Sequence, residues 1–360
     1  MNIRAVDRRP LGMGLCKRSV SSDKNTRPLR VAIIGAGLMG YWHGRVARHL
    51  GSQVVAVVDP DEKRAKIVAS ACGATGTARE LSELDTRIVD AVHVCSPTST
   101  HGAVTVQALE AGIHTFVEKP LAQSANETQR LFSIAERNKV ILCPVHQAAF
   151  QIGVEHAKAF IERNDLCSID FRICSAGGAG HGDSELDDIV ADILPHPFSM
   201  LRKLWPQVPW EPHRWFVIRP RAGELLVAGE HAGALLSVLV SMHARPTCFE
   251  MTVRNPRGDF ALDLFHGFGI RHNGNVSRLR KIVRPFATSL KLFGAASGNL
   301  IGRALRAEVA YPGLQQLTRD FYSAVLGLAP NPISPEDAMA VATARDAVLA
   351  NRVVRGTFVA

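Results

Sequence analysis

The chain has 360 residues, 46% of them hydrophobic and 21% charged, with a formal net charge of +9. This is the composition of a folded globular protein of two domains, and it excludes a disordered or collagen-like chain. No stretch reaches the roughly 18–20 uninterrupted apolar residues that cross a bilayer.

The positive charge is unevenly placed. Residues 1–30 carry eight Lys or Arg against Asp7 and Asp23, a net of +6; residues 278–306 carry seven and no acid; the remainder sums to −4. A mildly acidic body argues against nucleic acid as a partner. Seven cysteines form no CxxC pair and make an odd number, which predicts neither a zinc cage nor a closed disulfide set and favours a reducing, cytoplasmic setting; no metal ligands are assigned. Residues 1–29 lack hydrophobic period and read as a disordered basic tail. Arg8-Arg9 admits a twin-arginine export signal, but only Pro10–Cys16 separates it from Lys17-Arg18, so a solvated leader or over-long start is preferred.

Leu29–Ile34 reads as a buried strand, and Gly35-Ala36-Gly37-Leu38-Met39-Gly40 follows it at once, opening a helical pattern that runs to Leu50. In this setting Gly35 permits the tight turn, Gly37 lets a pyrophosphate approach the backbone, and Gly40 lets helix and strand pack closely; Leu38 and Met39 lie in the cradle between them. A second strand, Val54–Val58, ends in Asp59, placed to accept hydrogen bonds from an adenosine ribose and to repel a 2′-phosphate. NAD is therefore preferred over NADP, with Lys63 and Arg64 keeping NADP as the alternative.

Beyond it the spacing predicts helices over Asp61–Ala71, Ala78–Leu84, Thr98–Ala111 and Ser124–Asn138, and strands over Ala91–Cys95, Thr115–Val117 and Val140–Cys143. Alternation of this kind builds a parallel sheet that binds ligands at the carboxyl ends of its strands. Those ends carry Ser96-Pro97-Thr98 with His101, then Glu118-Lys119-Pro120, then His146-Gln147. From Ser168 onward strand-like runs follow one another at Ser168–Cys174, Arg214–Ile218, Leu225–Ala228, Ala234–Met242, Thr247–Val253 and Phe260–Phe265, as an antiparallel sheet requires. The fold class is thus an α/β Rossmann domain followed by an α+β domain with a largely antiparallel open sheet, with boundaries at 1–29, 30–150 and 151–360.

With the glycine motif, Val94-Cys95-Ser96-Pro97-Thr98, Val117-Glu118-Lys119-Pro120-Leu121 and Asp192-Ile193-Leu194-Pro195-His196 on the page, the chain resembles the glucose-fructose oxidoreductase / inositol dehydrogenase / MocA family. The resemblance is clear over about residues 30–200 and looser at Leu314–Val348. It implies an NAD(P)-dependent oxidoreductase acting on a secondary hydroxyl of a sugar, sugar nucleotide or cyclitol, assembled as a homo-oligomer, dimer or tetramer. It further implies Lys119, Asp192 and His196 as the catalytic residues, and a cofactor bound by Gly35, Gly37, Leu38, Met39, Gly40, Asp59, Ser96, Pro97, Thr98, His101, Glu118, Lys119 and Gln147. Relatives also suggest a cis bond between Lys119 and Pro120.

In this reading His196 is the general base, and Asp192, one helical turn earlier, orients its imidazole and favours the protonated form. Lys119 donates to the substrate oxygen. Glu118 reads either as a nicotinamide-ribose contact or as a strand-end charge, and His101 either as a cofactor contact or as a loop residue. Relatives often carry an acid three residues after the histidine, where this chain has Ser199. Gly177–Gly182 reads as a flexible loop or lid near the site. Two other functions share the motifs: glycoside cleavage by transient oxidation, in which bound NAD is not consumed, and non-catalytic NAD binding.

The basic segment 278–306 places Leu279, Ile282, Val283, Phe286, Leu290 and Phe293 on one side of a helical projection, and Pro285 predicts a break there. It reads either as a packing or interface helix or as a peripheral contact with an anionic membrane or a diphosphate-bearing substrate.

Overall fold

A computed structural model describes residues 27–161, 166–206, 215–274 and 277–351. The export reading of the first residues and the start of the strand proposed at Arg214 lie outside the described residues.

The first sheet gathers strands β1 (Arg30–Ile34), β2 (Gln53–Val58), β3 (Thr77–Ala78), β4 (Ala91–Val94), β5 (His114–Val117) and β6 (Leu142–Pro144). They are all parallel in the order β3-β2-β1-β4-β5-β6. The reversal of strand order between β1 and β4 opens the crevice in which such sheets bind ligands. Between the strands run α1 (Leu38–His49), α2 (Glu62–Cys72), α3 (His101–Glu110) and α4 (Ala125–Arg137), and α5 (Ile152–Ile161) follows β6. Their starts are written in the sequence: Asp61 caps α2 through the Lys63 and Arg64 amides, and Ser124 caps α4 through the Glu127 amide. The helix expected over Ala78–Leu84 does not form. Ala78 ends β3, and Leu81–Glu83 makes one 3-10 turn whose Leu81 alone is buried, too short a run to nucleate an α-helix. Thr98–Thr100 is likewise a 3-10 turn leading into α3.

The second sheet contains β7 (Ser168–Cys174), β8 (Phe216–Ile218), β9 (Glu224–His231), β10 (Ala234–Ser241), β11 (Cys248–Asn255), β12 (Gly258–Asp263) and β13 (Phe268–Asn273), ordered β13-β12-β11-β7-β10-β9-β8. Every pairing is antiparallel except β7 with β10 at the centre. The strand β13 was not legible in the sequence, because its Arg271, His272 and Asn273 hide any apolar run. Helices α6 (Asp183–Ile193) and α7 (Pro195–Leu204) follow β7, and α8 (Arg278–Leu305), α9 (Leu314–Val325) and α10 (Pro335–Ala350) close the chain.

One face of this sheet is a core: Ile169, Phe171, Val227, Val238, Val240, Met251 and Val253 pack with Phe198 and Met200 of α7. A division of the chain at 150 does not partition the packing, because Leu314, Leu317, Phe321 and Tyr322 of α9 return to the core of the first sheet, where Phe321 stacks on Phe116. Helix α8 runs unbroken through Pro285, against the expected break. The segment is exposed on nearly every side, so the carbonyl left without its amide partner can be hydrated, and the cost that breaks a buried helix is reduced.

Candidate active site

The glycine turn is fixed by contacts on all sides. Gly35 has φ +98°, and a Cβ there would sit 2.5 Å from the Cys95 carbonyl oxygen; a Cβ on Gly40 would sit 1.8 Å from the Gly35 carbonyl oxygen. Both positions therefore exclude any side chain. At Gly37 a Cβ would meet nothing within 4 Å, and Gly37 and Leu38 are exposed at the mouth of the crevice. Gly37 is also the N-cap of α1, with no side chain bonded to the helix start and no acid in its first turn. An open backbone at an uncapped helix N-terminus is the donor set a diphosphate needs. Asp59, buried, closes the turn from below: its Oδ2 accepts from the Ala36 amide at 2.8 Å, and its Oδ1 accepts from the Asp61 amide at 2.9 Å and Arg64 Nη2 at 3.3 Å.

Lys119 and residue 192 join the two sheets. The Lys119 ammonium donates to the main-chain carbonyl of Asp192 at 3.1 Å, and Thr98 Oγ1 donates to the Asp192 carboxylate at 3.2 Å. The Lys119-Pro120 bond is cis. Burial raises the Asp192 carboxyl above its ordinary value, and the Lys119 charge opposes this.

His196 lies in the first turn of α7, which begins at Pro195 one residue after α6 ends at Ile193, with Leu194 between them still in helical backbone geometry. The expected contact between Asp192 and His196 is not made: the Asp192 carboxylate is bonded to Thr98, and the imidazole Nδ1 is buried with no partner among the described residues. Nor is the protonated ring favoured. Burial first, then the charge of Lys119 and the proximity of His146, hold His196 well below the ordinary histidine value, so the ring is neutral near pH 7. Ser199 donates its hydroxyl to the His196 carbonyl, staying within its own helix.

Glu118 and His101 have structural partners in place of the cofactor contacts considered for them. Glu118 is buried; Oε1 meets His43 Nε2 at 3.0 Å and Oε2 accepts from the Lys119 amide. The chain continues inward from His43 Nδ1 to His93 Nδ1 at 2.9 Å and from His93 Nε2 to the Tyr322 hydroxyl at 3.0 Å. Burial raises the Glu118 carboxyl, but the contact with His43 and the Lys119 charge lower it more; burial first, then the proximity of His43, pushes His93 far down. His101 is buried with both ring nitrogens against carbonyl oxygens, Nδ1 at Pro120 and Nε2 at Ser96; the single N–H of a neutral ring donates to one of them, tying its helix start to the loop of Ser96 or to that of Lys119.

A cleft of about 510 Å³ opens beside these groups. His196 and Gln147 line it, and each has a buried polar atom without a partner among the described residues, Nδ1 and Oε1 respectively. Unpaired buried polar atoms are costly and point to a ligand that completes them. Trp42, Phe249, His266, Arg303 and Tyr311 complete the wall and were missed in the sequence. The one available signal was Tyr311-Pro312-Gly313, where Tyr311 and Gly313 both adopt positive φ. Arg303 is spent on structure, donating to the carbonyls of His266, Glu308 and Val309. The glycine loop Gly177–Gly182 is not part of this wall; it turns into α6, with Gly178 facing Leu186 and Met242.

Comparison with known proteins bears on this geometry. Residues 29–146 match the family described as an oxidoreductase family with an NAD-binding Rossmann fold. The chain is 33% identical over 141 residues to scyllo-inositol 2-dehydrogenase (NAD(+)) of Bacillus subtilis, covering 38% of this chain and 41% of that enzyme. It is 32% identical over 120 residues to UDP-N-acetylglucosamine 3-dehydrogenase of Acidithiobacillus ferrooxidans, covering 33% and 37%. The matched stretches thus span about two fifths of these curated relatives. A solved structure of the latter enzyme superimposes with a TM-score of 0.69 at 18% identity over 90% of this chain and 97% of that one. Levoglucosan dehydrogenase, solved with NADH and levoglucosan, gives 0.70 at 17% over 90% and 96%. Identities this low establish the shared two-sheet fold.

Proposed function

The chain carries, over residues 29–146, the NAD-binding domain of the Gfo/Idh/MocA oxidoreductase family, and on that premise we propose an NAD-dependent dehydrogenase acting on a secondary hydroxyl of a sugar, sugar nucleotide or cyclitol. The observation that carries this reading is the pair of buried polar atoms, Gln147 Oε1 and His196 Nδ1, that have no partner among the described residues and belong to two residues lining one cleft, with the Lys119 charge acting on His196.

Oxidising an alcohol requires loss of a proton from oxygen and a hydride from carbon, and bound NAD supplies the acceptor for the hydride. The glycine turn, the uncapped start of α1 and Asp59 would hold its diphosphate and adenosine ribose, and Gln147 Oε1 would accept from its carboxamide. His196, neutral because buried, takes the hydroxyl proton. Lys119 spends one of its three donors on the Asp192 carbonyl and keeps two for the substrate oxygen, where they would stabilise negative charge as it develops. Asp192 acts as a positioning residue, tying Thr98 and Lys119 of the first sheet to the helix pair that carries His196.

Two further readings belong to this proposal. The open face of the second sheet exposes Phe216, Leu235 and Leu239, which supports homo-oligomerisation through it. The cytoplasmic assignment rests on the odd, unclustered cysteines.

The test is reduction of added NAD across inositols, UDP-N-acetylglucosamine and levoglucosan, followed by the absorbance of the reduced nicotinamide. Lys119→Ala and His196→Ala should each lower turnover by about two to four orders of magnitude while NAD affinity stays nearly intact. Near-normal turnover in either variant removes that residue from the mechanism. Substrate conversion without net reduced cofactor replaces this reading with glycoside cleavage by transient oxidation.

A further inference from the structure

We propose that α8 is a docking element by which the protein rests on the surface of an anionic lipid bilayer. The helix spans about 42 Å at 1.5 Å per residue. Ile282, Phe286, Leu290, Phe293 and Leu300 share one face, and each is more than 70% exposed. The opposite side holds the helix to the body: Lys291 donates to the Arg271 carbonyl, and Asn299 and Arg303 both donate to the His266 carbonyl. The apolar stripe therefore points away from the protein. A contiguous patch of this size on a folded surface marks a binding face.

The occupant is set by charge. Residues 278–306 hold seven basic and no acidic side chains, so two copies laid α8 against α8 would oppose the same cations. An anionic bilayer offers an apolar interior to the exposed stripe and counter-charge to the net positive charge of the segment at once. Among the described residues no helix is long and apolar enough to cross a membrane, so α8 lies on it. Arg303, near the end of α8, also lines the cleft, and docking sets that wall beside the headgroups. Docking needs neither cofactor nor substrate and stands apart from the dehydrogenase reading.

The experiment is co-sedimentation of the full chain with vesicles of equimolar phosphatidylcholine and phosphatidylglycerol, against vesicles of phosphatidylcholine alone. Partitioning should be about tenfold or more stronger on the anionic vesicles and should weaken as salt rises. The double variant Phe286→Glu, Phe293→Glu should lose about tenfold or more of this binding with thermal unfolding and NAD affinity unchanged, since both side chains are exposed. Absence of vesicle binding, equal binding to both vesicles, or a variant that binds as the parent does would each overturn the proposal. A variant that instead shifts the protein to a smaller oligomer would overturn it too and make α8 a self-association face.

Discussion

Asp59 clamps the glycine turn, and the proposed function gives it the adenosine ribose as well; Asp59→Asn tests both roles. The carboxylate accepts from the Ala36 amide through one oxygen and from the Asp61 amide and Arg64 through the other. An amide keeps only one acceptor, so in either orientation one main-chain N–H faces an NH2 group. A charge-assisted bond contributes about 1.5–3 kcal/mol, and an unpaired buried donor costs about as much, so the variant should lose roughly 2–4 kcal/mol of stability. NAD binding should weaken about 10- to 100-fold, since its ribose hydroxyls lose a charged acceptor. NADP should weaken far less, because the negative charge that repels a 2′-phosphate is gone and Arg64, 59% exposed, stands beside the site. Calorimetric titration of both dinucleotides with a thermal melt reads all three quantities. Unchanged stability with parallel losses for both cofactors would refute the clamp and the selectivity argument together.

Two other perturbations reach the buried polar groups. His93→Val should leave His43 Nδ1 without its bond and take one of two partners from the Tyr322 hydroxyl, costing about 2–3 kcal/mol, or roughly 3–4 °C in melting temperature, whereas a neutral result would show the chain from Glu118 inward to be dispensable. Acid should destabilise the protein through its buried histidines. Burial holds His146 at about 4 against the ordinary 6.5, so between these values the unfolded chain binds a proton that the folded chain refuses, and stability falls as pH drops across that window. His146 alone contributes about 3 kcal/mol of this loss, and His93 and His196 act in the same direction. Urea midpoints at pH 7 and pH 5 check it: the His146→Gln variant should show a smaller drop, and an equal drop would remove His146 from the effect.

The nucleotide crevice was legible in the sequence because its determinants are local. Gly35 and Gly40 are demanded by a turn that begins and ends within six residues, and Asp59 follows at the next strand end. What could not be read was the direction a side chain takes. Glu118 looks like a strand-end charge over a crevice, and it turns inward only because His43 and His93, fifty residues apart, are brought face to face by α1 and β4. Asp192 and His196 have helical spacing, but the Asp192 carboxylate is taken by Thr98 of the first domain, and burial then decides that the ring is neutral. Pro285 misled in the opposite sense, since its penalty depends on whether the carbonyl it orphans can meet water. The cleft wall combines Trp42 of α1, Phe249 of β11 and Arg303 of α8, and no local pattern joins positions so far apart.

The central claim is that Lys119, just past the end of β5, and His196 of α7 act at a single site, the lysine charge helping to keep the imidazole neutral. The pH dependence of kcat/KM for Lys119→Met against the parent enzyme tests this most directly. With the ammonium gone, turnover should fall and the acidic limb, which reports protonation of His196, should move to higher pH. A limb that stays where it was would place the two side chains in separate sites and contradict the account.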